Sequence, residues 1–212
     1  TGSNNVAVGE QAGLLLQAAA HQNTLIGSRA GDAITTGDAN IIIGYNVAAD
    51  SATDSNQLNI GGWIKGDAGQ ITMPSQPAFS AKPASEQSNI AVGSWVTVVL
   101  GTEIFDQNAD FASNTFTAPV TGKYQLNATV VVKNVDTASD YYQLQLTTSN
   151  RSYYGIFDPG GFSADIDYFD LTVSVLADMD ASDTAYLQIL QNTGTAQSDI
   201  DTMSAFSGYL AC

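Results

Sequence analysis

Four short segments near the start of the chain repeat one frame, and that repetition constrains the fold more than any other feature. The segments TGSNNVAVGEQAG (1–13), QNTLIGSRAG (22–31), TGDANIIIGYNVA (36–48) and NQLNIGGWIKG (56–66) share it. Each has an amide residue, two variable residues, Val or Ile, and then Gly. The amides are Asn5, Asn23, Asn40 and Gln57. The branched residues are Val8, Ile26, Ile43 and Ile60, and the glycines are Gly9, Gly27, Gly44 and Gly61. The glycines lie 18, 17 and 17 residues apart. A short fixed period marks a stacked array whose single unit cannot bury its own apolar face.

The triplets VAV, TLI, III and LNI read as short β-strands, with glycine permitting a sharp turn after each. Alternate strand residues face opposite ways. The third position is always Val or Ile, so it is expected to line the interior of a coil. The middle residues Ala7, Leu25, Ile42 and Asn59 are then expected outside. An apolar outer face on a slender coil needs a partner, and the same face of neighbouring chains is the expected one. The stretch LLLQAAA (14–20) reads as a longer connecting arm rather than a helix. The chain opens without Met and in register with a repeat, so further repeats are expected upstream, in a longer protein.

Residues 67–78 hold two prolines and no pattern, and are expected to be a linker. From 79 to 212 the character changes. Runs such as WVTVVL, YQLNATVVV, YYQLQLTT, YFDLTVSVL and TAYLQIL alternate or are densely apolar, and turn-rich segments separate them. This spacing, without convincing helices, predicts an all-β chain: a short repetitive β-coil over 1–66 followed by a β-sandwich.

The segment TEIFDQNADFASNTFTAPVTGKYQL (102–126) resembles the signature of the complement C1q globular head, through Phe111, Phe116, Pro119, Gly122 and Tyr124. The ending SAFSGYLA (204–211), with Phe206, Gly208 and Tyr209, resembles the close of the same domains. The resemblance implies a jelly roll of the tumour-necrosis-factor type, assembled as a homotrimer. It places Phe206 and Tyr209 near the threefold axis, with Gly208 leaving room for close approach. Gly122 is expected to permit a tight turn after Pro119. The N-terminal frame resembles repeats in head domains of trimeric bacterial adhesins and in bacteriophage tail fibres. Both resemblances imply threefold assembly.

The chain carries 6 basic and 21 acidic residues, a net charge of −15. That excludes a basic patch for nucleic acid and disfavours anionic membranes. No apolar stretch reaches ~20 residues, so no membrane insertion is expected. Cys212 is the only cysteine, so no intramolecular disulfide can form. His21 is the only histidine, and no nucleophile motif, zinc spacing or phosphate loop accompanies it. We therefore expect no enzyme.

Clustered carboxylates at Asp165, Asp167, Asp178 and Asp180 have two readings: solvated turns with Asp capping backbone amides, or oxygen ligands for Ca²⁺. The adjacent aromatic pairs also have two readings: packing at a chain interface, or contact with a sugar ring. Tyr153, Tyr154, Phe157 and Asp158 are the candidate receptor-binding residues. Together these features suggest the tip of a trimeric phage tail fibre, part of a virion, that binds a bacterial surface glycan or protein and continues upstream into the rest of the fibre. The alternatives are a bacterial surface or secreted trimeric adhesin, and a structural fibre segment without a receptor site. None of these needs a cofactor beyond the candidate Ca²⁺.

Overall fold

The computed structural model describes residues 2–67 and 69–212. Thr1, at the head of the repeats, and Ala68, in the expected linker, lie outside the described residues. The chain divides into two compact units, Thr1–Ser75 and Gln76–Cys212.

The first unit holds β1 (Val6–Val8), β2 (Thr24–Ile26), β3 (Ile41–Ile43), β4 (Leu58–Ile60), β5 (Ile64–Asp67) and β6 (Gln70–Thr72), joined in that order in one sheet. Strands β1 to β4 run parallel and in register, so the four triplets stack as rungs. Strands β5 and β6 continue the sheet antiparallel. Part of the stretch expected as a linker is therefore strand.

An amide ladder fixes the stacking. The Asn5 Oδ1 accepts from the Asn23 backbone N–H at 2.9 Å, Asn23 Oδ1 from that of Asn40 at 2.9 Å, and Asn40 Oδ1 from that of Gln57 at 2.8 Å. The amide nitrogens donate to carbonyls: Asn5 to Ala20, Asn23 to Gly37, Asn40 to Asp54. Asn23 and Asn40 are fully buried.

This ladder overturns the expected facing of the triplets. The amide lies inside, and the middle residue follows it by two, so it must lie inside as well. Leu25 and Ile42 are 0% exposed and pack with Ala30 and Ile34. The third position faces outward: Val8 is 57% exposed and Ile26 39%. Ile43 and Ile60 are partly exposed on the same side.

Gly27 has φ +123°, and a Cβ there would meet the Gly44 carbonyl oxygen at 2.3 Å, so the rungs approach too closely for any side chain. The arm 14–20 forms turns and no helix; its Gln17 N–H donates to the Thr35 carbonyl of the next arm.

The second unit contains β7 (Ala78–Lys82), β8 (Trp95–Thr97), β9 (Thr102–Asp106), β10 (Phe111–Ala112), β11 (Thr115–Thr117), β12 (Gly122–Val135), β13 (Tyr142–Thr148), β14 (Ser152–Phe157), β15 (Ile166–Met179), β16 (Thr184–Gln191), β17 (Asp199–Ile200) and β18 (Ala205–Leu210). One sheet has the order β15-β12-β18-β7-β9, with β17 also on β12. The other has β10-β11-β16-β13-β14, with β8 also on β16. Burial alternates along β12 and β13, which places one apolar face of each sheet in a shared core.

An aromatic cluster fills that core at one end. Phe79 stacks on Phe111 and Phe116 with centroids 5.1 and 4.6 Å apart, and meets Phe206 edge-on at 5.0 Å. Tyr124 is buried beside Phe116 and donates its hydroxyl hydrogen to the Val120 carbonyl at 2.7 Å. Burying each such ring contributes on the order of 2–3 kcal/mol.

Three expectations about the motif change here. Phe206 is fully buried inside the sandwich, so it cannot face another chain. Gly208 is buried too: a Cβ there would meet Leu126 Cδ2 at 2.6 Å and Phe79 Cε1 at 2.9 Å, so its bareness serves the core. Gly122 opens β12 rather than making a turn of left-handed backbone. A Cβ there would meet Leu210 Cδ1 at 2.6 Å and the Cys212 carbonyl oxygen at 2.7 Å. Only Tyr209, on the opposite side of β18, faces outward.

Candidate functional site

Of the four candidate receptor residues, the fold exposes two, Tyr154 and Asp158. Strand β14 is the edge of its sheet and pairs only with β13. Alternation turns Tyr153 and Phe157 toward the core and Tyr154 away from it. The Phe157 ring stacks on Phe169 at 3.5 Å, so it holds the two sheets together instead of meeting a ligand. Asp158 accepts from the Gly160 N–H at 2.8 Å and caps the short 3-10 turn Pro159–Gly161. Tyr154 stays 54% exposed, and Ile156 beside it on the same face is 64% exposed.

The acidic candidates are separated by the fold. Asp165 and Asp167 lie at the start of β15, and Asp178 and Asp180 at its end, on the order of 35 Å away at the usual rise of a strand. Asp165 Oδ1 accepts from both the backbone N–H and the hydroxyl of Thr137, at 2.9 and 2.8 Å. Asp178 pairs with Arg151 at 2.9 Å. Asp180 accepts from the Thr121 hydroxyl at 3.4 Å. Among the described residues no three His, Cys, Asp or Glu side chains converge as metal ligands. Within one chain these four carboxylates do not converge on a Ca²⁺ site.

The loop 106–111 holds two more carboxylates that the sequence did not single out. Asp106 spends both oxygens on the backbone N–H groups of Asp110 and Phe111. Burial pushes the Asp110 carboxyl above its ordinary range, and neighbouring Asp106 adds to this. Asp110 Oδ2 is buried without a hydrogen-bond partner.

Outward apolar surface is conspicuous on both units. On the repeat sheet, the first and third triplet positions form two in-register columns: Val6, Thr24, Ile41, Leu58 and Val8, Ile26, Ile43, Ile60. Every member except Thr24 is apolar. On the sandwich, register sets Leu176, Gln125, Tyr209 and Ala78 in one outward row across four strands. Leu176 is 57% exposed and Tyr209 49%. Beside them, Gln125 Nε2 donates to the Ser174 hydroxyl at 3.0 Å, which in turn donates to Asn127 Oδ1 at 2.7 Å.

The second unit is thus a jelly-roll β-sandwich whose outer surface includes an exposed apolar pair, Leu176 and Tyr209. The sequence model of the C1q domain matches residues 78–211. The chain belongs to the C1q domain family. Among solved structures it is similar to the globular domain of the zebrafish complement 1qA protein, at 16% identity and TM-score 0.49, covering 65% of this chain and 98% of that one. It is also similar to murine APRIL at 12% identity and TM-score 0.46, covering 64% and 98%. No curated protein matches the chain.

Proposed function

We propose that this protein is the distal part of a trimeric phage tail fibre, whose heads dock on a bacterial surface receptor. The observation that carries the proposal is the pair of outward apolar faces, one on the repeat sheet and one on the head around Leu176 and Tyr209. An apolar, uncharged column that extends over four rungs is costly to leave wet. A second and third copy would cover it by symmetry, and membership of the C1q family supports the same stoichiometry for the head. Three identical sites then multiply avidity on a repetitive cell surface. No catalytic step is assigned to the protein, and it works outside the cell as part of a virion.

The test is adsorption of the purified, fluorescently labelled chain to a panel of intact bacterial strains, with and without EDTA. Saturable binding to a subset of strains is expected. EDTA should leave it unchanged, because Asp165, Asp178 and Asp180 are engaged by protein partners and stand at two ends of a long strand. If no strain susceptible to the parent phage is bound, the receptor-binding reading fails and a purely structural segment takes its place.

A further inference from the structure

The outer face of the sheet β10-β11-β16-β13-β14 carries no charge. Among the described residues of its strands, no Asp, Glu, Lys or Arg points outward from it. This is notable in a chain of net charge −15, and the other sheet differs, with Lys123, Lys133, Asp170 and Asp178 on its outer side. In place of charges, the face presents amides, hydroxyls, rings and the exposed aliphatic Ile156 in register, with Leu190 buried among them. One row runs Thr97, Gln188, Gln145, Tyr154 across β8, β16, β13 and β14. The next runs Trp95, Leu190, Gln143, Ile156. At the usual interstrand spacing each row spans about 15 Å.

The three glutamines sit between two exposed aromatic side chains, Trp95 and Tyr154, on opposite strands of the face. Gln145 is held in place: its Nε2 donates to the Thr147 hydroxyl at 2.7 Å and to the Ser152 hydroxyl at 2.8 Å. Rings that can lie against the apolar face of a pyranose, with neutral amides and hydroxyls between them, match a ligand rich in hydroxyls and free of charge. An acidic ligand would be repelled by the chain's overall field and find no cation here. A basic one would find no carboxylate.

We propose that this face binds a neutral polysaccharide, with Tyr154 and Trp95 as stacking platforms and Gln143, Gln145 and Gln188 as hydrogen-bonding groups. The proposal rests on the receptor-binding reading above and assigns it a surface and a ligand class.

The experiment uses the whole chain and a strain that the wild type binds. Polysaccharide extracted from that strain is split by anion exchange into neutral and acidic fractions, and each competes against cell binding. Tyr154→Ala and Gln188→Glu are compared with wild type after thermal melting confirms that they fold. The expected result is competition by the neutral fraction alone, loss of binding on periodate treatment of the cells, and binding weaker by about tenfold or more in each variant. Wild-type affinity in both variants overturns the proposal while leaving the receptor-binding reading intact. So does binding that survives periodate but not protease. A changed oligomeric state in Gln188→Glu, with unchanged cell binding, assigns the face to a second copy and also overturns it. Failure of the wild type to bind any strain is the separate failure of the receptor reading, and this proposal falls with it.

Discussion

Replacing Asn40 with leucine is expected to disrupt the repeat sheet while the sandwich stays folded. Leucine keeps the volume of the buried side chain but removes both of its hydrogen bonds. The Gln57 N–H loses its acceptor, while the Asp54 carbonyl loses one donor and keeps the other, Gln57 Nε2 at 2.8 Å. The Gln57 N–H sits where water is shut out: Asn40 is fully buried and Gln57 is 6% exposed. An unsatisfied buried group costs about 1–3 kcal/mol, and the Gln57 N–H is the one left unsatisfied. Neighbouring rungs share the ladder through Asn23, which spreads the damage upward. Native-state hydrogen exchange provides the readout. The Gln57 and Ile41 amides should exchange much faster than in wild type, while amides of β12 keep their protection. Unchanged protection at Gln57 would mean that the ladder contributes little.

The second large effect is expected at Asp136, which ties a loop of the sandwich. Its side chain accepts from the backbone N–H groups of Thr195, Ala196 and Ala138, and the residue is 2% exposed. The Asp136 N–H in turn donates to the Tyr142 hydroxyl, which shares a hydrogen with Ser198 at 2.6 Å. Burial pushes the carboxyl up, but the three N–H donors outweigh burial and hold it below its ordinary range. A depressed folded-state pKa stabilises the fold above the unfolded value, about 3.9, and that contribution fades as pH falls through the folded one. Asp136→Asn should therefore lower the melting temperature of the sandwich at pH 7 by several degrees, for a loss on the order of 2 kcal/mol. The gap to wild type should narrow at about pH 3 and below. A gap that stays constant with pH would show that the carboxylate's charge is not what holds the loop.

The repeat frame was legible because its period is fixed, yet its inside and outside were inverted by the reading of position three. A column of Val and Ile looks like a core. The buried amides were the missing constraint: an asparagine that spans two rungs must be shielded, and parity then places Leu25 and Ile42 with it. The same parity argument would have separated Phe206 from Tyr209, which are three residues apart on one strand and so face opposite sides. The jelly roll itself was visible in the alternating runs and in the motif around Phe111, Phe116 and Tyr124. The carboxylates were misleading, because proximity in sequence at Asp165 and Asp167 gave no hint that Thr137 would engage the first of them. The uncharged outer face left a trace in YQLQLTT and TAYLQIL, where every second residue except Leu190 is Gln, Thr or Tyr. Reading it as a surface required the register that sets Gln145 opposite both Gln188 and Tyr154.

The central claim is that the outward columns on the repeat sheet and the Leu176–Tyr209 row are covered by two further copies of the chain. Light scattering of the purified protein at micromolar concentration tests it most directly. A single species near three times 22.1 kDa, persisting in mild detergent, is the predicted result. A monodisperse species of 22.1 kDa that melts cooperatively would contradict it.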